Sequence, residues 1–282
     1  MAKSSYAKAL ADVLVLEGGK VDHPRDPGGR TNRGVTQRVY DGFRRNRKLP
    51  TRDVYLIEQA EVEAIYRLQY WDKIRGDALP AGVDMIVFDG AVNSGPLQSV
   101  KWLQAELGVR IDGVLGEASL SAVRAHPDHD VLIAGIAARR MRFLKALRTW
   151  GTFGKGWTRR VDHVRAAGQA IAMGSVGPKV VYIAGAENKA WLSDAKSVPG
   201  KQVADLATGA GGASALLSQV ADQLTPVADA VPSIGKVVGI LTAAGAILAV
   251  AGLLYRSWAS KRQAQLDADL LAGGDEPTAV AT

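Results

Sequence analysis

The sequence predicts a mainly α-helical fold, with a small β-hairpin or loop region after the first helix and a hydrophobic helix near the C-terminus. Apolar residues recur at helical spacing through most of the first 173 residues. A run rich in Gly, Pro, Asp and Asn interrupts that spacing at 20–35, which is typical of turns. A stretch without charged residues at 237–255 predicts the hydrophobic helix.

The first helix is predicted from Leu10, Val13 and Leu14, which recur at helical spacing. Gly18-Gly19 ends the pattern, as glycine commonly does after a helix. Glu17 therefore lies in the last helical turn. The following segment contains Asp26-Pro27-Gly28-Gly29, which requires turn geometry.

Further helices are predicted from the same periodicity and from Gly and Pro at their ends. In the helix predicted at 53–70, one apolar stripe is formed by Leu56, Ala60, Ala64 and Leu68. The predicted helices cover about 36–45, 53–70, 81–93, 97–107, 117–124, 129–149 and 157–171.

The composition changes after Met173 to Ala, Gly, Ser and Val, which indicates a linker. The stretch 237–255 is close to the length of a membrane span, so we predict a transmembrane helix and membrane association there. Because Ala and Gly favour insertion less than Leu or Phe, a buried or self-associating helix is the alternative. The predicted organisation is two helical lobes at 1–75 and 76–173, a linker at 174–232, the hydrophobic helix at 233–258 and a polar tail at 259–282.

Composition limits the chemistry available to the chain. Its 282 residues are 47% hydrophobic and 22% charged, as in an ordinary globular protein. The absence of cysteine excludes disulfides, thiolate metal sites and a cysteine nucleophile. No motif indicates a cofactor or a metal ion.

Charge is distributed unevenly along the chain. Residues 1–173 hold 27 Lys and Arg against 19 Asp and Glu, whereas the remainder holds 8 against 9. A basic surface attracts polyanions in general, including nucleic acid, anionic lipid and the acidic bacterial wall. Two basic runs occur, Arg44-Arg45-Asn46-Arg47-Lys48 and Arg139-Arg140-Met141-Arg142. Because solvated helix faces or wall contacts explain them equally well, no nucleic-acid partner is predicted.

The stretch 17–36 has the residue types needed to cleave a glycosidic bond. That reaction requires a carboxylic acid that protonates the leaving oxygen, and a second group that activates water or stabilises the transition state. Glu17 can supply the acid, and the next loop offers Asp22 and Asp26. Thr31 could hydrogen-bond a water molecule, so Glu17, Asp26 and Thr31 form the preferred catalytic set.

The same residues carry a resemblance to a known family. Glu17-Gly18-Gly19, Asp26-Pro27-Gly28-Gly29 and Thr31-Asn32-Arg33-Gly34-Val35-Thr36 resemble the N-terminal motif of glycoside hydrolase family 108. These are bacterial and phage N-acetylmuramidases. Blocks such as Ala91-Val92-Asn93-Ser94-Gly95 and Trp102-Leu103-Gln104 resemble the peptidoglycan-binding half of that family.

This resemblance implies a lysozyme-like α+β fold and a glycoside hydrolase that acts on peptidoglycan. It also implies that 1–75 is the catalytic lobe and that 76–173 is a helical peptidoglycan-binding lobe. It implies that Glu17 is the general acid and that Asp26, with Thr31, activates the attacking water and inverts the anomeric carbon. In phage-type lysozymes the Asp-to-Thr gap is usually one residue longer than the gap between Asp26 and Thr31. A general acid needs partial burial among apolar groups, so we expect no cation close to Glu17.

Four further residues are candidates for substrate binding, each with a structural alternative. Asp22 could equally be a turn former, and Asn93 a helix cap or loop stabiliser. Tyr70 and Trp71 could stack on sugars, but aromatic residues among apolar neighbours commonly belong to the core.

The predicted function is that of a lysozyme-type, endolysin-like hydrolase of the β-1,4 bond between N-acetylmuramic acid and N-acetylglucosamine. A lytic transglycosylase and a non-enzymatic protein that binds the wall or perturbs membranes are the alternatives. The first residues do not form a secretory signal, because the apolar stretch is short and contains Asp12. We therefore expect synthesis in the cytoplasm of a bacterium or phage-infected host, association with the inner membrane, and action on the periplasmic wall during lysis or secretion.

Overall fold

The computed structural model describes residues 5–21, 30–195, 254–255, 257–262 and 264. The described residues up to 195 belong to one compact unit, and those from 254 onwards belong to a second.

The first unit is built mainly from helices. Glycine or proline stands at several of the helix ends, as the sequence predicts. The α-helices are α1 (Tyr6–Glu17), α2 (Gln37–Asn46), α3 (Gln59–Tyr66), α4 (Val83–Ser94), α5 (Pro96–Glu106), α6 (Glu117–Ala125), α7 (His129–Lys145) and α8 (Trp150–Ala172).

A small antiparallel sheet follows α1. Its strands are β1 (Lys20–Val21), β2 (Thr31–Asn32) and β3 (Val35–Thr36), in that spatial order. A two-residue turn with positive φ at Arg33 and Gly34 connects β2 to β3, as in a tight hairpin. The prediction of a mainly helical fold with a small β-region after the first helix is confirmed.

Helix α4 is the centre of the core. All its residues are buried, and it packs against α1, α5, α7 and α8. A helix that is apolar on nearly every side is expected to be surrounded by other elements. Its buried polar residues are Asp84, Asp89, Asn93 and Ser94. Asp89 and Asn93 lead directly to the candidate site.

The predicted single helix at 53–70 is wrong. The chain forms a 3-10 turn at Val54–Leu56, then α3, then a π-helical turn at Arg67–Trp71. Glu58 begins a new helix with a capping box, which separates it from the preceding turn. The predicted apolar stripe fails as well, because Leu56 is 64% exposed and Leu68 is 47% exposed.

The last two helices differ from their predicted lengths. Helix α7 ends at Lys145, earlier than expected, and α8 begins at Trp150 instead of Trp157. Beyond α8 the described chain continues without an α-helix to Ala195. There it forms one 3-10 turn, at Leu192–Asp194, and an antiparallel bridge between Leu147 and Ala195.

Gly82, immediately before α4, is a point where two backbones meet. It has φ of 89°, and a Cβ placed on it would lie 2.2 Å from the carbonyl oxygen of Gly168 in α8. We expect Gly82→Ala to destabilise the fold by about 1–3 kcal/mol, because the added atom forces the two elements apart. Urea unfolding followed by circular dichroism measures this change.

The matched control is Gly42→Ala in α2, where an added Cβ meets nothing within 4 Å. Alanine favours a helix interior over glycine, so this variant is expected to gain roughly 0.5–1 kcal/mol. Equal stability of the two alanine variants would contradict the close approach at Gly82.

The predicted transmembrane helix at 237–255 lies outside the described residues, apart from Leu254 and Tyr255. Within the part of the chain that the structure describes, no helix combines the length and apolar character that a membrane span needs.

Candidate functional site

Glu17 is the last residue of α1, where the chain leaves the helix for the sheet. Gly18 ends the helix with φ of 75°, a conformation that favours glycine. On the hairpin, Gly34 lies against the carboxylate, because a Cβ placed on it would be 2.7 Å from Glu17 Oε2. The side chain of Glu17 is only 1% exposed.

Two cations bind the Glu17 carboxylate. Arg160 Nη2 of α8 donates to Oε1 at 3.0 Å, and Lys189 Nζ donates to Oε2 at 2.6 Å. The expectation that no cation lies near Glu17 is therefore wrong. Both partners are far away in sequence, and a buried carboxylate is stable only when it is paired.

Arg160 belongs to a larger buried charge cluster. Its Nε donates to Asp89 Oδ1 at 2.9 Å, and Arg140 Nη1 donates to Asp89 Oδ2 at 2.6 Å. Burial raises the pKa of Asp89, but the guanidinium groups of Arg160 and Arg140 outweigh that effect and hold the pKa below its usual value. Asp89 thus fixes the arginine that holds Glu17.

Two tyrosines line another side of the carboxylate. Burial, with the nearby charge of Glu17, raises the pKa of Tyr66 well above its usual value and that of Tyr70 to about 12. Both phenols therefore keep their protons at neutral pH. Tyr66 Oη donates to the carbonyl oxygen of Arg33 at 2.9 Å, which attaches the hairpin to the helical body.

The predicted catalytic residues are only partly within the described structure. Thr31 lies half-buried on β2, opposite Thr36 of β3. Thr36 caps α2, because its hydroxyl accepts from the amide of Val39. Asp22 and Asp26 lie outside the described residues, so their predicted roles stay predictions.

Of the other predicted binding residues, only Tyr70 lies near Glu17 with part of its surface accessible. Trp71 is fully buried in the core, with its ring against Tyr6 and Phe88, which corresponds to the core alternative, and its role in sugar binding stays a prediction. Asn93 is also fully buried. Its side chain is used within the protein, accepting from Arg140 and donating to the carbonyl oxygen of Asn188, so it offers no sugar contact here.

Among the described residues, no group of three or more His, Asp or Glu side chains is placed to hold a metal ion. The site consists of a buried carboxylate, its cations and neutral phenols. Carboxyl groups are among the side chains that act as general acids, provided that the group carries a proton and reaches the oxygen it protonates.

Comparisons with known proteins agree with this geometry. Residues 10–95 match the family described as glycosyl hydrolase 108, and residues 98–162 match a predicted peptidoglycan domain. The solved structure of Brucella abortus SagA is 44% identical, with a TM-score of 0.54, and the match covers 61% of this chain and 97% of that one. The chain belongs to the glycosyl hydrolase 108 family. A comparison with curated proteins found no match.

Membership of glycosyl hydrolase 108, together with the peptidoglycan domain, indicates a peptidoglycan hydrolase. The two matched regions meet at the candidate site. Glu17 and Asp89 lie in the first region, whereas Arg140 and Arg160 lie in the second. The candidate site is thus completed by side chains from the region that matches the peptidoglycan domain.

Sequence reasoning missed Arg160, Arg140, Asp89 and Lys189. A signal existed for the two arginines, because each occurs at helical spacing from apolar residues. Arg140 follows Ile136 by four positions and Arg160 follows Trp157 by three, which places both on buried helix faces. No comparable signal exists for Lys189, which lies outside the α-helices.

Proposed function

We propose that this chain is an N-acetylmuramidase that hydrolyses the β-1,4 bond between N-acetylmuramic acid and N-acetylglucosamine, with Glu17 as the general acid. The observation that carries the proposal is the position of Glu17. It is a buried carboxyl group at the end of α1, adjacent to the hairpin, inside the region that matches glycosyl hydrolase 108.

The reaction needs a second protein group besides the general acid, to activate the attacking water. Protonation of the glycosidic oxygen by Glu17 must be accompanied by attack of a water molecule from the other side of the sugar ring. We assign the activation of that water to Asp26 with Thr31, which lies on β2 five residues after Asp26 in the sequence. This arrangement inverts the anomeric configuration.

The setting we infer is the bacterial wall, where the enzyme opens glycan strands as an endolysin or during secretion. The match of residues 98–162 to a predicted peptidoglycan domain supports the wall as the partner. The basic surplus of residues 1–173 adds attraction to an acidic polymer.

Product analysis tests the bond and the reaction type together. Purified peptidoglycan is digested with the full chain, reduced with borohydride and analysed by mass spectrometry. We expect reduced N-acetylmuramic acid at the new ends. Anhydro ends would identify a lytic transglycosylase instead, and reduced N-acetylglucosamine would place the cleavage at the other bond. Proton NMR of fresh product is expected to show the inverted anomer, and retention would remove the assigned roles of Asp26 and Thr31.

A further inference from the structure

Residues 177–195, which we call the strap, run from the end of α8 across the site. At its start, Gly177 packs against Ala167 of α8, and its last residue forms a bridge with Leu147. Between these points the ring of Tyr182 lies over Gly18, the residue after Glu17. A Cβ placed on Gly18 would be 3.1 Å from that ring. The strap lies beyond both regions that match known families.

Backbone hydrogen bonds hold the strap to the helical body. The carbonyl oxygen of Asn188 accepts from Asn93 Nδ2 and from Trp157 Nε1, each at 2.8 Å. The amide of Ala190 donates to the carbonyl oxygen of Asn93 at 3.0 Å. These bonds place the residue between them, Lys189, at a defined position.

Lys189 closes the site. Its Nζ lies 2.6 Å from Glu17 Oε2, and Arg160, which binds the other carboxylate oxygen, also donates to the carbonyl oxygen of Ala186 at 2.8 Å. A general acid must come within hydrogen-bond distance of the oxygen it protonates. With its side chain 1% exposed, Glu17 cannot reach a glycosidic oxygen while the strap is in place.

The strap is held less firmly than the body it covers. Val181, Tyr182 and Trp191 of the strap are 56%, 54% and 44% exposed, whereas its Val180, Ala186 and Ala190 are buried. The strap contains no α-helix, and much of its apolar surface is in contact with solvent, so it opens at a lower free-energy cost than the helices beneath it. Burial lowers the pKa of Lys189, although Glu17 raises it and Arg160 lowers it further. Holding the ammonium group at this place therefore costs free energy.

We propose that the strap is an autoinhibitory segment, in which Lys189 occupies the general acid until a glycan strand displaces it. This inference rests on the proposed function, because it assumes that Glu17 performs the chemistry. A ligand that must compete with a closed state binds with an affinity reduced by the fraction of open molecules. Opening the strap should consequently lower KM and leave kcat nearly unchanged.

The first variant is Gly156→Ala, which changes a residue of the helical body and leaves the side chains that bind Glu17 in place. A Cβ placed on Gly156, in α8, would lie 2.6 Å from the carbonyl carbon of Gly185 in the strap. The added atom should displace the strap while the helix itself gains a better helix former. With soluble glycan strands as the substrate, we expect the KM of the full-length Gly156→Ala variant to be about tenfold lower than that of the wild type. Gly151→Ala on the same helix is the control, since its Cβ meets nothing within 4 Å.

The second variant is Lys189→Ala, which removes the ion pair without adding volume. We expect the same direction of change, a lower KM with kcat within about twofold of the wild type. Lys155→Ala is its control, because Lys155 is an exposed lysine on α8. Hydrogen exchange of the amides at 180–191 reports opening independently of activity, and it should be faster in Gly156→Ala than in Gly151→Ala.

The outcomes separate this inference from the proposed function. If Gly156→Ala accelerates exchange in the strap, yet it and Lys189→Ala retain the wild-type KM, autoinhibition is overturned while the muramidase assignment stands. A slower reaction in Lys189→Ala would also overturn it, because Lys189 would then assist catalysis. If neither the wild type nor any opened variant cleaves glycan strands, the proposed function fails and the inference fails with it.

Discussion

Glu17→Gln is expected to lower the rate of glycan cleavage by about 10²–10⁴-fold. Glutamine keeps the shape of the side chain and can still accept from Arg160, but its amide cannot transfer a proton to the leaving oxygen. General acid catalysis typically contributes a factor of this size. The release of new reducing ends from purified peptidoglycan measures the rate, and a zymogram gives an independent reading.

The matched control is Glu63→Gln, the same change at an exposed glutamate of α3. Its side chain accepts from Gln59 on the helix surface, and it should retain full activity. Thermal unfolding of both variants establishes that the loss is chemical. A folded Glu17→Gln protein with the activity of the control would end the assignment of Glu17 as the acid.

Asp89→Asn is expected to destabilise the protein by about 3–5 kcal/mol at neutral pH. Asp89 pairs with Arg140 and Arg160, and all three side chains are at most 1% exposed. Removing one charge of a buried ion pair leaves its partner uncompensated, which is far costlier than losing a surface pair. Guanidinium chloride unfolding at pH 7 measures the difference in free energy.

The pH dependence provides a second signature of the same cluster. Because the pKa of Asp89 is lowered in the fold, its ionised form stabilises the protein above its unfolded pKa of about 4, and this contribution is lost as the pH falls through the lower, folded value. The difference in free energy of unfolding between the wild type and Asp89→Asn should therefore become smaller below about pH 4.

Asp72→Asn serves as the control for this prediction. Asp72 is 46% exposed and pairs with Arg67 at 3.4 Å, and surface pairs contribute about 0–1 kcal/mol. If Asp89→Asn cost no more than Asp72→Asn, the buried cluster would not hold the site together.

The helices could be predicted from the sequence because their signals are local. Gly18 after α1 and Gly95 before α5 stop one element and begin the next, and neither depends on distant residues. The failure at 53–70 has a physical reason as well. Alanine and leucine spacing favours one continuous helix, but the capping box at Glu58 starts a new helix and the buried residues become Val62 and Ile65.

The candidate site was predictable only where it is local. Glu17, its glycines and the hairpin lie within one short stretch of chain. Arg160 and Lys189 reach Glu17 across 143 and 172 residues, distances over which periodicity and spacing carry no information. The expectation of an isolated acid failed for this reason, since nothing local to Glu17 indicates that two distant cations pair with it.

The covalent connection between α8 and the strap has a consequence for when the enzyme can act. An inhibitor tethered by a few residues is presented to its target at an effective concentration on the order of millimolar, and dilution does not reduce it. The strap therefore restrains Glu17 to the same extent at any protein concentration. Only a polymer that offers many adjacent sugars at comparable local density can compete, and the enzyme closes again when it leaves that surface.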